Sequence, residues 1–201
     1  MTDELSIIQQ HIRDCRRCQQ AGYPVQGPPI FSGTAASRLM VVGQAPGIVE
    51  VSKTHRPFSG SAGARLFRWL AQAGWEEQEF RRRFYMTSIT RCFPGPNPSG
   101  RGDRVPTRKE QQLCNEWLEA ELALVDPEVV IPVGSLAARR FFGKGYRLVD
   151  LVGQRFRLHG RIFVALPHPS GASGWLQQEE NRRLIRKAIA ILAQLREELR
   201  L

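Results

Sequence analysis

The stretch "RLMVVGQAPG", residues 38–47, runs from four consecutive apolar residues straight into a turn bounded by Gly43 and Gly47. An unbroken Leu-Met-Val-Val run has no polar face, so it reads as a strand buried on both sides, the signature of a parallel sheet covered by helices. Three further runs have the same character: "RFYMTSI" (83–89), "PEVVIPVG" (127–134) and "RIFVALP" (161–167). Between them the apolar spacing changes to three and four. "SAGARLFRWLAQAGW" from Ser61 predicts a helix capped by Ser61 and ended by Gly74, with Leu66, Trp69 and Leu70 inward. Thr107 to about Val125 predicts a second, stopping before Asp126-Pro127, and a further one follows from Ser135. Residues 177–199 form the last, with Leu184, Ile185, Ala188, Ile191, Leu192 and Leu195 on one stripe. Strand and helix alternate, which predicts an α/β fold: a three-layer α/β/α sandwich around a central, mostly parallel four-stranded sheet.

With 201 residues, 42% of them hydrophobic, and no composition break, the chain is expected to be a single domain over residues 1–201. No stretch of about 20 apolar residues spans a membrane and the N-terminus lacks a signal-peptide pattern, so the expected location is cytoplasmic. The net charge of +10, gathered in Arg81-Arg82-Arg83, Arg101, Arg104, Arg108-Lys109 and Arg182-Arg183, suits a polyanionic partner or a plain solvated surface. In an open parallel sheet, ligands bind beyond the carboxyl ends of the strands. Four loops should therefore surround one cleft: "GQAPG" after the first strand, the proline- and glycine-rich 92–106 after the second, "GSLAA" after the third and "PHPSGASG" after the fourth. "GQAPG" lets backbone approach a ligand closely, but it has neither the lysine and hydroxyl of a phosphate loop nor a dinucleotide fingerprint. By itself it is compatible with a structural turn.

Cysteines occur at 15, 18, 92 and 114. Four in a chain of this length do not make a disulfide framework, which points to metal or chemistry. A thioredoxin-like redox pair would place Cys15-x-x-Cys18 on a helix after a strand. Here the pair ends an amphipathic helix with Leu5, Ile8 and Ile12 on one face, so the redox reading is set aside. Four thiolates suit either a cubane iron–sulfur cluster or tetrahedral zinc, and spacing alone does not separate them.

Taken in order, "GQAPG" (43–47), "RPFSGSAG" (56–63), "TSITRCFPGPN" (87–97) and "HPSG" (168–171) resemble the motifs of the uracil-DNA glycosylase superfamily, specifically its iron–sulfur-containing family-4 branch. The resemblance covers about residues 10–195. It implies that Cys15, Cys18, Cys92 and Cys114 hold a [4Fe-4S] cluster, although "SGRGDR" (99–104) looks like an insertion between the last two. It also implies that DNA carrying uracil or another damaged base is the partner, that the base is flipped into a pocket, and that the N-glycosidic bond is hydrolysed. No obligatory protein partner is implied. Phe58 would stack on the base, with Gln44 and Ala45 lining the pocket, although Phe58 equally suits a core role. His168 would stabilise charge on the departing base. Asn97 would contact base or DNA. Ser170 and Ser135 are candidate phosphate contacts or caps, and Ala172 or Trp175 lies where relatives carry a wedge.

Two positions depart from the family pattern. Gln44 replaces a glutamate, and an amide cannot serve as a general base, which leaves Glu50 as the nearby carboxylate. Ser88 stands where a base-reading asparagine is common. The alternative expectation is therefore a non-catalytic iron–sulfur nucleic-acid-binding protein of the same fold.

Overall fold

A computed structural model describes residues 4–100, 102–170 and 174–201. The sheet contains β1 (Leu39–Gly43), β2 (Tyr85–Ser88), β3 (Val129–Pro132), β4 (Phe156–Leu158) and β5 (Arg161–Phe163). The strands lie in the order β2-β1-β3-β5-β4; β2, β1, β3 and β5 are mutually parallel and β4 pairs antiparallel with β5. The four expected strands are thus present, and the sheet has a fifth. β4 and β5 form a hairpin turned by His159-Gly160, whose φ angles of 50° and 80° are both left-handed, as a tight two-residue hairpin requires. β4 has three residues, none of them buried and one exposed, so it carries no apolar run to mark it in sequence.

The helices are α1 (Glu4–Asp14), α2 (Arg17–Gln20), α3 (Ser61–Gln72), α4 (Glu77–Arg83), α5 (Arg108–Val125), α6 (Ser135–Phe142), α7 (Leu148–Leu151) and α8 (Glu179–Glu198). They cover both faces of the sheet. Leu39, Val41, Val129 and Ile131 project to one side and pack with Leu66, Leu70, Phe80, Ile185 and Leu192 of α3, α4 and α8. Met40, Val42 and Val130 project to the other and pack with Leu5, Leu118, Leu122 and Ala137 of α1, α5 and α6. This alternation follows from the two-residue period of a strand. None of the described helices is long and apolar enough to cross a membrane.

The cap of α3 differs from expectation: Gly60 is the N-cap, and Ser61 is the first helical residue without a capping bond. Thr107 does cap α5, in a reciprocal box with Glu110. The open edge of β2 is covered by the segment before β1, through bridges Ser32–Met86 and Gln26–Phe93, which protects an otherwise unpaired strand.

Arg91 and Glu121 are fully buried and ion-paired, and Glu121 also accepts from Tyr85 Oη (3.2 Å) and Thr87 Oγ1 (2.9 Å). Removing one partner of such a pair leaves an uncompensated charge in the core. Glu121→Leu is expected to lower unfolding free energy by about 3–5 kcal/mol in urea denaturation. Arg91→Met combined with Glu121→Leu should recover most of that loss.

Candidate active site and cysteine cavity

The carboxyl ends of the parallel strands open into a cleft of about 200 Å³, partly open to solvent. Its walls come from the turn after β1 (Gly43 to Glu50), the loop before α3 (Pro57, Phe58, Gly60), the end of β2 (Thr87, Ser88), Val133 after β3, and His168-Pro169 after β5. Three of the expected loops contribute directly to its lining. The fourth, "GSLAA" (134–138), supplies none of the lining residues: Val133 just before it reaches the cleft, and Ser135 is exposed as the first residue of α6.

Phe58 holds a left-handed backbone, φ 51°, which is costly for a bulky residue and persists only where surroundings enforce it. The enforcement is visible. Arg81 donates to the carbonyls of Pro57 (2.7 Å) and Phe58 (2.8 Å) while lying over the Phe67 ring at 4.3 Å. A Cβ at Gly63 would fall 1.8 Å from the Phe58 carbonyl oxygen, and one at Gly43 would fall 2.8 Å from its Cζ. The aromatic ring is thereby laid over the end of β1.

His168 lies in the opposite wall. The Ser170 N–H donates to its Nδ1 at 3.3 Å and the Ser170 hydroxyl lies 2.9 Å from the same nitrogen. A backbone donor at Nδ1 fixes that atom as an acceptor, so the proton of the neutral ring is on Nε2. Burial holds the imidazole below its usual range, which keeps this neutral tautomer at neutral pH. Arg65 steadies the loop by donating to the Pro169 carbonyl (3.0 Å).

Glu50 is buried at the start of a π-helical turn, Glu50–Thr54. Its carboxylate accepts from the backbone N–H groups of Gly47 (3.1 Å), Ser59 (3.0 Å) and Gly60 (2.9 Å). It ties the "GQAPG" turn to the phenylalanine loop, and most of its roughly four lone-pair directions are engaged. Ser88 donates its hydroxyl proton to the Thr90 carbonyl (2.7 Å), leaving the oxygen as an acceptor. Gln44 and Ala45 line the cleft, and the Gln44 amide bonds to none of the described residues.

Asn97 is not among the cleft-lining residues. It sits at the tip of the loop after β2, where its Oδ1 accepts from the Ser99 N–H (3.0 Å) in a side-chain-closed turn. Ala172 lies outside the described residues. Trp175 is half-buried against the core, its carbonyl accepting from Asn181 (2.9 Å). Asp103, in the loop after β2, does line the cleft, and the sequence assigns it no role. The basic clusters are less free than their number suggests: Arg83 pairs with Glu79, Arg104 with Glu110, and Arg182 and Arg183 with Glu179. Lys53 and Arg56 are exposed in the segment that leads to the cleft residue Pro57.

Behind β2, Cys15, Cys18, Cys92 and Cys114 line one second, small cavity, and all four are free of disulfides. Among the described residues no three His, Cys, Asp or Glu side chains converge on a point that would hold a single metal ion. Burial, reinforced by neighbouring thiols, pushes Cys18 up to about 11 and Cys92 up to about 12. Thr90 Oγ1 and Arg91 Nε, both on residues lining this cavity, are buried without a partner among the described residues. Trp117 Nε1–H approaches Cys15 Sγ at 3.4 Å and Arg91 Nη1 lies 3.9 Å from Cys114 Sγ. Donors therefore surround the thiols, an environment suited to an electron-rich sulfur group.

Residues 30–193 match the family model of the uracil DNA glycosylase superfamily. The type-4 uracil-DNA glycosylase of Archaeoglobus fulgidus is 31% identical over 180 residues, spanning 84% of this chain and 82% of that protein. The type-4 enzyme of Thermotoga maritima is 28% identical over 172 residues, 83% of this chain and 81% of its own length. A type-5 uracil-DNA glycosylase from Pyrobaculum aerophilum is 35% identical over 138 residues, covering 64% and 58%.

Because the left-handed Phe58 depends on a bare backbone at its neighbour, Gly63→Ala is expected to destabilise by about 1–3 kcal/mol through overpacking. The measurement is the shift in denaturation midpoint. Ala64→Gly, one position along the same helix, should cost no more than about 1 kcal/mol.

Proposed function

The chain belongs to the uracil-DNA glycosylase superfamily and is a hydrolase of the N-glycosidic bond to uracil in DNA; we propose that excision takes place in the cleft at the carboxyl ends of β1, β2, β3 and β5. The observation that carries this assignment is the pairing of a neutral His168, its Nε2–H donor free of the Ser170 contacts, with an aromatic ring held rigidly across the cleft. A base extruded from the stack needs a flat apolar surface and a donor for the charge it acquires on leaving. Phe58 provides the surface. His168 donates to a carbonyl of the departing base, and a preorganised donor of this kind contributes about 3–4 kcal/mol of barrier lowering.

Ser88, its own proton committed to Thr90, accepts an N–H from the base edge. One acceptor replaces the two contacts an amide would offer, so discrimination at that edge is weaker than with asparagine. Gln44 and Ala45 border the base, the Gln44 amide orienting water or substrate without taking a proton. Glu50 and Ser170 are positioning residues: one fixes the "GQAPG" turn, the other the His168 tautomer. Asn97 acts through the loop it closes. Lys53 and Arg56 hold flanking phosphates.

In the same proposal Cys15, Cys18, Cys92 and Cys114 hold a [4Fe-4S] cluster, whose contribution is to cross-link the N-terminal segment to the loop after β2 and to α5. All four cysteines lining one cavity supports a shared site for the group. The unpartnered Thr90 Oγ1 and Arg91 Nε are further support, as donors toward cluster sulfurs.

Incubation with single-stranded and duplex oligonucleotides containing one uracil should leave abasic sites detectable by alkaline cleavage. His168→Ala is expected to reduce the excision rate roughly a hundredfold with DNA affinity nearly unchanged, because its donor acts on charge present only in the transition state. No excision of any base by the wild type would favour the non-catalytic DNA-binding alternative. As purified anaerobically, the protein should be brown and contain about four irons per chain, and Cys92→Ser should lose the colour and lower thermal stability. A colourless protein with a single zinc would contradict the cluster.

A further inference from the structure

Neither carboxylate position considered from sequence supplies a free base in the cleft. Gln44 is an amide, and Glu50 is engaged by three backbone donors that protonation would disturb. We propose that Asp103, carried into the cleft by the loop after β2, is the general base that activates the attacking water. The inference rests on the cleft being the site of uracil excision.

Backbone geometry directs Asp103 there. The loop after β2 doubles back on itself as a short antiparallel hairpin: Pro96 bridges Asp103, the Asn97 N–H donates to the Gly102 carbonyl (2.9 Å), and the Arg104 N–H donates to the Gly95 carbonyl (3.0 Å). Asn97 closes its tip. The next residue, Arg104, is pinned to α5 by two bonds to Glu110 (2.8 and 2.6 Å). Successive side chains of an extended segment point to opposite faces, so anchoring Arg104 toward α5 leaves Asp103 facing the cleft.

At its destination, Asp103 Oδ2 is 3.2 Å from the point a Cβ on Gly47 would occupy, and Glu50 Oε2 is 2.9 Å from that same point. Two carboxylates therefore approach one glycine, with different surroundings. Glu50 accepts from three backbone donors, whereas Asp103 accepts no hydrogen bond from a described residue and stays exposed, where water reaches it. Burial of part of the group, together with the Glu50 charge, raises the Asp103 carboxyl above its ordinary range, which moves it in the direction of a better proton acceptor.

In the step assigned to it, the Asp103 carboxylate takes one proton from water as the water oxygen bonds to C1′ of the deoxyribose. The C1′–N1 bond breaks with its electron pair leaving on uracil, whose carbonyl accepts from His168. The proton on Asp103 then passes to solvent.

Single-turnover excision from a uracil oligonucleotide, with enzyme in excess, isolates this step. Affinity for a non-cleavable abasic-analogue duplex and the melting temperature are measured on the same variants. Asp103→Asn is expected to slow excision about a hundredfold while leaving affinity and melting temperature near wild type. Asp103→Glu, which retains a carboxylate, should keep a substantial part of the rate. If Asp103→Asn stays within about threefold of a wild type that excises uracil, far less than loss of a general base costs, the assignment to Asp103 is wrong and the glycosylase reading stands. If the wild type excises no uracil while binding DNA, the function itself fails, and the role of Asp103 with it.

Discussion

Glu121 collects Arg91, Tyr85 and Thr87 around a carboxylate with no access to water. The geometry of both functional regions passes through that junction. Thr87 and Tyr85 belong to β2, Arg91 to the loop that follows it, and Glu121 to α5, so the buried network fixes strand, loop and helix to one another. One side of the junction carries Ser88 into the cleft; the other carries Cys92 and Cys114 into the cysteine cavity. A buried ion pair is a poor source of net stability, since desolvation offsets most of its attraction. Its value here is directional, because hydrogen bonds in a low-dielectric interior tolerate little displacement.

The cleft gives three carboxylate or amide groups unlike roles through their surroundings alone. Gln44 cannot take a proton. Glu50 accepts three backbone N–H groups, which make it a clamp. Asp103 has the same functional group as Glu50 with none of those donors, and solvent at its side. The loop that delivers Asp103 is long, rich in proline and glycine, and held at its base by Arg104 and Glu110, so its position is set by a few local bonds rather than by burial of an apolar face.

Rigid presentation of Phe58 and His168 follows a common pattern: an arginine on a neighbouring helix holds the backbone carbonyls of the loop concerned. Arg81 does this for Pro57 and Phe58, and Arg65 for Pro169. Part of the positive charge that reads in sequence as a surface for nucleic acid is therefore spent inside the protein. Arg81 has a side chain only 11% exposed. The basic surface left to DNA is smaller than the net charge of +10 suggests.

The sequence by itself determined the parallel core, because four apolar runs with no polar face have no alternative but burial on both sides. It also determined the long helices, whose apolar spacing is unambiguous, and it placed three of the four strand-end loops around one cleft. The ordered motifs pointed to the family, and the cysteines to one shared site. Only the tertiary structure decided what the polar residues do there. β4 was invisible because a three-residue edge strand buries too little to leave a pattern. Ser61 reads as a cap by residue type, yet Gly60 takes the place because the chain turns sharply under Phe58. Asn97 and Asp103 stand in one loop, and nothing in their spacing tells which of them faces the cleft. That choice is made by hydrogen bonds to Gly95, Gly102 and Glu110, contacts between backbone and distant side chains that a linear pattern does not record.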